Sequence, residues 1–197
     1  MAGSTREEGE EIERDERPSG KKSALATARV PFPDWKETVG PRGKALDSRL
    51  VELASMISTK FPDAKVYPRG SNAAAVVEMK SPARFVEFCE WIYRDLKFDH
   101  SSLISGVDWL THLEVVYHWY STKKRVNIIL KVQLDRQDPV IPSIMRMWKG
   151  ANYHERETYD MMGVKFEGHP DLRRIYLEEN YEFFPQRKDF RWGLKYG

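Results

Sequence analysis

The stretch Trp148–Phe190 reads WKGANYHERETYDMMGVKFEGHPDLRRIYLEENYEFFPQRKDF, with charges of both signs set between aromatic residues, Gly and Pro. Asn152 is predicted to cap a short helix, with Glu155 three residues on as its capping-box partner. The helix is expected to run through Tyr159 and to end at Gly163, a residue type suited to a left-handed C-terminal cap. This pattern is typical of neither a solvated surface helix nor a core strand.

The same stretch carries more charges than a buried core tolerates and more large apolar groups than a freely solvated loop. We therefore expect an ion-pair network at a surface that another protein covers. After the turn 168–170, Asp171 is expected to cap a further turn that carries Arg173 and Arg174. The residues predicted to form the partner interface are Glu155, Arg156, Glu157, Asp160, His169, Asp171, Arg173, Arg174, Arg187, Lys188 and Asp189.

The run ERETYDMMGVKFEGHPDLRRI, followed by RKDF, resembles the signature of the 30-kilodalton subunit family of respiratory complex I. The same family serves the related membrane-bound nickel–iron hydrogenases. Its pattern is E-R-E-x-x-D-x-x-G-V-x-F-x-G-H-P-D-L-R-R, with Ile as the alternative to Val, then a proline and R-K-D. The chain matches it from Glu155 to Arg174 and again at 187–189. So many matches at fixed spacing form a specific signal.

The resemblance implies a non-catalytic structural subunit of the hydrophilic arm of a membrane-bound oxidoreductase of the complex I type. It implies no catalytic, cofactor-binding or metal-binding residue in this chain, and places iron–sulfur clusters and a nickel–iron or quinone site in partner subunits. The implied partners are the hydrogenase-like large subunit and the iron–sulfur small subunit, with integral membrane subunits contacted indirectly. The implied location is the cytoplasmic face of the membrane, in a complex that couples electron transfer to ion translocation.

Two kinds of complex fit this resemblance. One is driven by NADH or another donor and reduces quinone; the other is a ferredoxin-dependent membrane-bound hydrogenase or sulfur reductase. The short stretch after Asp189 and the small number of Asn and Gln residues slightly favour the second. The amino-acid composition argues against other functional classes. The chain has 197 residues with 32 basic and 30 acidic ones, a balance that argues against a nucleic-acid footprint. Cys89 is the only cysteine, which excludes an internal disulfide framework and an iron–sulfur cluster held by this chain alone.

Three regions are predicted along the chain. Residues 1–44 are expected to form a disordered or extended tail, because the stretch up to Gly20 is acidic and has Ile12 as its one sizeable apolar residue. Residues 45–147 are expected to form an α+β domain, and residues 148–197 a signature segment and extension that docks on a partner subunit. No run of about 18 uncharged apolar residues occurs, so no membrane-spanning helix is expected.

Hydrophobic periodicity divides the middle region into helices and strands. Helices are predicted over 45–60, from Pro82 after a Ser81 cap to about Lys97, and from Pro142 over a short run. Strands are predicted at Lys65–Tyr67, Ala73–Met79 and Leu103–Trp109, and at LEVVYHWYS and RVNIILKVQL, which form a hairpin. This mixture predicts an α+β fold: a mixed sheet with an antiparallel hairpin covered by helices, followed by a charged, partly irregular C-terminal segment that wraps a partner subunit.

Two other functions remain open on the residues alone. A stand-alone enzyme could use His169 with Asp171 and Glu155 as an acid/base set, if a pocket reached them. A nucleic-acid-binding module could use Arg173, Arg174 and the cations near the C-terminus, although interleaved carboxylates would repel a phosphate backbone.

Overall fold

The computed structural model describes residues 47–69 and 74–191. The tail predicted at 1–44 and the last residues of the chain lie outside these ranges. Within them the chain forms three α-helices and seven strands. The helices are α1 Ser48–Lys60, α2 Phe85–Arg94 and α3 Ala151–Met162. The strands are β1 Lys65–Arg69, β2 Ala74–Met79, β3 His100–Asp108, β4 Leu113–Ser121, β5 Val126–Leu134, β6 Val140–Pro142 and β7 Lys165–Glu167.

The main sheet has five strands in the order β1-β2-β5-β4-β3. β2 runs parallel to β5, whereas the other neighbours are antiparallel, so the sheet is mixed. The predicted hairpin is present as β4–β5, with Leu113 opposite Leu134 and Ser121 opposite Val126. Arg125 closes it in the left-handed region, at φ 55°. The α+β fold with a mixed sheet is thus confirmed.

The helices α1 and α2 cover one face of this sheet. Asp47 caps α1 by accepting the Arg49 amide at 3.0 Å, and Ser81 caps the 3-10 turn Pro82–Arg84 that leads into α2. The residues that these helices bury are Leu50, Leu53, Ala54, Ile57, Phe85, Phe88, Cys89 and Ile92. Both predicted helices are therefore present, although α2 ends three residues before the predicted Lys97.

The aromatic centre of the core connects β4 to the region before α3. The Tyr117 and Trp119 rings stack at 5.2 Å between centroids, and Trp148 donates its indole N–H to the Phe98 carbonyl at 2.9 Å. α3 then crosses β3 at Gly106, where an added Cβ would lie 2.9 Å from Met162 Cγ. The absence of a side chain at Gly106 lets helix and strand approach closely.

The helix predicted from Pro142 is wrong. Residues Val140–Pro142 form β6, which pairs in parallel with β7, and the Ser143 amide extends this pairing to the Glu167 carbonyl at 2.8 Å. A single turn follows, in which Met147 and Trp148 both donate to the Ile144 carbonyl. The pairing joins segments more than 20 residues apart, and no local pattern signals such a contact.

Candidate functional site

The N-terminus of α3 differs from the predicted capping box. Gly150 occupies the N-cap position and makes no side-chain cap, so the roles predicted for Asn152 and Glu155 there are wrong. The Glu155 side chain turns inward instead, and accepts hydrogen bonds from Ser143 Oγ at 2.6 Å and from the Ile144 amide at 2.8 Å. The carboxylate therefore fixes the turn after β6. Its burial raises the pKa of Glu155 from 4.5 to about 7.

His169 lies beside this carboxylate. Its Nε2 is 3.9 Å from Glu155 Oε2, and both side chains are 0% exposed. On the other side of the ring, Nδ1 accepts the Asp171 amide at 3.1 Å. Burial lowers the pKa of His169, which favours the neutral ring. The loop 168–174 is thus attached to α3 through a buried histidine.

Asp160 and Arg174 form a second attachment. Arg174 Nη1 donates to Asp160 Oδ1 at 2.8 Å, and the side chains are 7% and 0% exposed. The other oxygen, Oδ2, accepts the three successive amides of residues 175–177 at 2.7 to 3.1 Å. Burial acts to raise the pKa of Asp160, but these hydrogen bonds hold that pKa below its usual value. One helical carboxylate therefore shapes the chain after the signature arginines.

The guanidinium groups of Arg156 and Arg174 bind carbonyls of the same loop region. Arg156 donates to the Arg173 and Arg174 carbonyls at 3.1 and 3.3 Å. Arg174 donates in addition to the Tyr181 and Phe183 carbonyls. An arginine fork supplies several donors in fixed geometry, which suits chain without regular structure. The segment 173–183 is thus held by side chains in place of secondary structure.

Arg187–Asp189 attaches the end of the segment to the sheet. Arg187 Nε donates to the Met162 carbonyl at the end of α3, at 2.7 Å. The Lys188 amide donates to Asp108 Oδ2 at 2.9 Å. Asp189 pairs with Arg136 at 2.9 Å, and Arg136 also pairs with the buried Asp108 at 2.9 Å.

Asp108 and Arg136 belong to the candidate site although the sequence did not indicate them. Asp108 ends β3 and Arg136 follows β5, 28 positions later. The Arg136 hydrogen bond holds the pKa of Asp108 well below its usual value, against the effect of burial. An acidic residue at a strand end is common, so only the fold reveals that the two meet Lys188 and Asp189.

Gly163 lets the chain reverse at the end of α3. It lies in the left-handed region at φ 76°, as predicted, and its amide donates to the Tyr159 carbonyl at 2.8 Å. A Cβ at this position would lie 2.6 Å from Phe184 Cε2, so the ring of the returning segment packs directly on the glycine. Two requirements, backbone conformation and close approach, thus meet at one residue.

Eight of the predicted interface residues fall into a buried and an exposed group, while Arg156, Glu157 and Arg187 are half-buried. The Glu155, Asp160, His169 and Arg174 side chains are buried inside the described part of the chain. By contrast, the Asp171, Arg173 and Asp189 side chains are 53%, 62% and 60% exposed, and Lys188 is exposed as well. Asp171 pairs with Arg173 at 3.0 Å rather than capping a turn through its side chain. The charges expected at an interface are therefore partly internal, because helix α3 supplies carboxylates that bind the signature segment itself.

Large aromatic side chains project from the same region. Tyr153 and Tyr176 are each 67% exposed, and Phe183 is 40% exposed. At the turn between β3 and β4, Trp109 and Leu110 are 42% and 59% exposed. We call Tyr153, Tyr176, Phe183 and the exposed Asp171 and Arg173 the signature surface.

The structure brings together part of the predicted acid/base set. His169 and Glu155 meet, but both are enclosed, and the Asp171 carboxylate binds Arg173. Of the arginines considered for nucleic acid, Arg174 and Arg187 bind backbone carbonyls. Among the residues that the structure describes, no group of three or more His, Cys, Asp or Glu could hold a metal ion.

The fold resembles two solved structures. The trypsin-resistant fragment of Nqo5 aligns with a TM-score of 0.54 and 29% identity, over 63% of this chain and 99% of the fragment. A chain of the membrane-bound sulfane sulfur reductase, an archaeal respiratory membrane complex, aligns with a TM-score of 0.62 and 23% identity, over 74% of this chain and 87% of that one. The second likeness concerns the fold alone.

Sequence comparison gives the family. The profile of the respiratory-chain NADH dehydrogenase 30 Kd subunit matches residues 79–195. A Rhizobium meliloti protein, one of the subunits of NADH-quinone oxidoreductase, is 47% identical over 55% of this chain, and the match spans 62% of that relative's length. The corresponding NADH-quinone oxidoreductase protein of Herpetosiphon aurantiacus is 35% identical over 73% of this chain and 85% of its own. This chain belongs to the 30-kilodalton subunit family of the respiratory-chain NADH dehydrogenase.

Within residues 47–69 and 74–191, none of the helices has the length and apolar character that crossing a membrane requires.

Proposed function

We propose that this protein is a non-catalytic structural subunit of a membrane-bound oxidoreductase of the complex I type. It occupies the hydrophilic arm on the cytoplasmic face and packs against the hydrogenase-like large subunit, near the iron–sulfur small subunit. The redox groups, iron–sulfur clusters with a quinone or nickel–iron site, belong to those partners. The chain supports electron transfer coupled to ion translocation by fixing their relative positions.

The observation that carries this proposal is that buried and exposed side chains of the signature segment have different contacts. Its buried charges bind the chain's own backbone, as Asp160 and Arg174 do. The segment is therefore ordered before any partner arrives, and little conformational entropy remains to be lost on binding. Tyrosine and arginine are among the residues that dominate binding energy in protein interfaces, and here they project from a preordered surface.

The partner surface that we propose is the signature surface. Tyr176 and Tyr153, each 67% exposed, offer the largest apolar area there. Arg173, with a side chain 62% exposed, sits beside Asp171 at the rim. Exposed aromatic side chains together with an exposed arginine match the composition of protein interfaces. The C-terminal segment would thus cover part of the large subunit.

The test is co-purification of the complex from cells that carry Tyr176→Ala in the full-length chain. Loss of a central tyrosine costs about 2 kcal/mol or more at an interface, which is above tenfold in affinity. We expect the large subunit recovered with the variant to fall by that factor while the thermal midpoint of the chain stays unchanged. Met56→Ala on α1 is the matched control, since Met56 is also an exposed apolar residue, at 43%.

Normal recovery of the large subunit with Tyr176→Ala would contradict the proposed surface. A complex that assembles fully but loses turnover would contradict the structural role, because the segment would then act on the neighbouring redox site.

Between the two complexes, we favour the quinone-reducing one. Relatives 35% and 47% identical to this chain are both named as subunits of NADH-quinone oxidoreductase. The purified complex should then reduce a quinone analogue and contain no stoichiometric nickel. Hydrogen evolution together with nickel would assign the chain to a hydrogenase complex.

A further inference from the structure

The buried pair of Glu155 and His169 is not explained by partner binding. Their side chains are 0% exposed, and their nearest atoms, Oε2 and Nε2, are 3.9 Å apart. Nε2 makes no hydrogen bond within the described ranges. A buried donor left without a hydrogen bond costs free energy, on the order of 1–3 kcal/mol. The position therefore requires an explanation beyond packing.

The position of one proton on the ring follows from geometry. His169 Nδ1 accepts the Asp171 amide, so in the neutral ring the proton resides on Nε2. The Nε2–H group thus faces the Glu155 carboxyl group. The backbone carbonyl of Asn152, one turn earlier on α3, also faces the imidazole and favours its protonated form.

The surroundings contribute few competing charges. The other titratable or charged groups that face the pair are Cys89 on α2, Tyr117 on β4, Arg156 on α3 and Asp171 on the loop. Burial raises the pKa of Cys89 and of Tyr117 well above their usual values, so both stay neutral. Arg156 carries a permanent charge. Cys89 and Tyr117 therefore take no part in proton exchange near neutral pH.

We propose that Glu155 and His169 form a proton-dependent contact that holds the loop 168–174 against α3. With Glu155 ionised, its carboxylate is the strongest acceptor near Nε2–H and draws the ring, and with it the loop, toward the helix. With Glu155 protonated, that attraction weakens. The proton is taken up from solvent by Oε2 and returned to it, with no other bond made or broken.

The contact acts on the loop because the His169 ring also binds the loop backbone. The ring accepts the Asp171 amide, and the Asp171 and Arg173 side chains form the exposed ion pair of the signature surface. The orientation of that ion pair consequently depends on whether the enclosed carboxyl group holds a proton.

Nuclear magnetic resonance of the full-length, nitrogen-15-labelled chain tests the proposal. The Ile144 amide reports on Glu155 Oε1, and the Asp171 amide reports on His169 Nδ1. We expect both amides to shift with one common midpoint between pH 6 and 8. After correction for intrinsic exchange, hydrogen-exchange protection of the Asp171 amide should be about fivefold higher at pH 8 than at pH 6, the difference between a charged and a neutral hydrogen bond.

Two variants and one control separate this contact from independent titrations. Glu155→Gln should remove the midpoint from the Asp171 amide, whereas Glu157→Gln, two positions away on the same helix, should leave it in place. His169→Ala should raise the midpoint of the Ile144 amide by about half a pH unit or more, because a donor to the carboxylate is lost. A midpoint of Asp171 that persists in Glu155→Gln would overturn the proposal. If Glu155→Gln does not fold, an unchanged Ile144 midpoint in His169→Ala would overturn it equally.

Discussion

Arg174 and Asp160 are 14 positions apart and meet at 2.8 Å with both side chains almost completely enclosed. Asp160 lies in α3, and Arg174 lies in irregular chain that this ion pair orders. The sequence suggested that such charges await a partner subunit. The structure instead gives Asp160 and Arg174 an intramolecular role, whereas Tyr153 and Tyr176 are exposed.

Arg174→Ala should therefore destabilise the isolated chain. The change leaves the buried Asp160 carboxylate without its ion-pair partner, which costs about 3–5 kcal/mol. Chemical denaturation followed by fluorescence measures this directly. Arg173→Ala is the control: its pair with Asp171 is exposed, and such pairs contribute about 0–1 kcal/mol. Equal stability of the two variants would refute the internal assignment.

Gly163→Ala and Gly168→Ala form a second matched pair. Both glycines have φ 76°, so each substitution has the same backbone cost of about 1 kcal/mol. A Cβ at 163 would meet the Phe184 ring at 2.6 Å, whereas among the described residues no atom lies within 4 Å of a Cβ at 168. Overpacking adds about 1–3 kcal/mol at Gly163. The difference in denaturation midpoint between the two variants isolates the contact, and no difference would mean that the ring moves aside.

Asp108→Asn should loosen the C-terminal attachment. The pKa of Asp108 is depressed in the fold, so its stabilising contribution is present above its unfolded value of about 3.9 and is lost as the pH falls through the folded value. At neutral pH we expect a loss of about 2–4 kcal/mol, since Arg136 loses a buried partner. Limited proteolysis should cut the variant faster near 184–191. Asp138→Asn is the control, because Asp138 forms an exposed pair with Lys165.

Glu155→Gln should change how stability depends on pH. The pKa of Glu155 rises from 4.5 to about 7 on folding. Its contribution is therefore fully present below pH 4.5 and is lost as the pH rises to 7 and above. The loss reaches about 3 kcal/mol at most. The variant cannot ionise, so its free energy of unfolding should gain on that of the wild type between pH 5 and 8. A constant difference across that range would show that Glu155 keeps an ordinary pKa.

The sequence predicted the fold well where a local period carried the information. Hydrophobic periodicity predicted a helix over 45–60 and a strand at RVNIILKVQL, and the structure has α1 and β5 there. Gly163 was identified as the end of α3 because few other residues adopt its backbone conformation. The family signature could likewise be recognised from the sequence, since it depends on residue types at fixed spacing.

Contacts between segments that are distant in sequence could not be predicted from the sequence. The β6–β7 pairing turned an expected helix into a strand, and Glu155 left its expected cap to bind Ser143 and Ile144. Charge density alone predicted an exposed network. It could not show that the buried Asp160 carboxylate accepts hydrogen bonds from the amides of residues 175–177.

The arrangement of Asp160 also sets an order of events during synthesis. The helix that carries it is finished at Gly163, but every group that binds its carboxylate follows later, from Arg174 to Leu177. While the chain emerges from the ribosome, this carboxylate stays in water until residues 174–177 have emerged as well. A chain that stops before Arg174 has the helix but leaves the Asp160 charge without these partners, so the ordering of this region depends on residues that follow the helix.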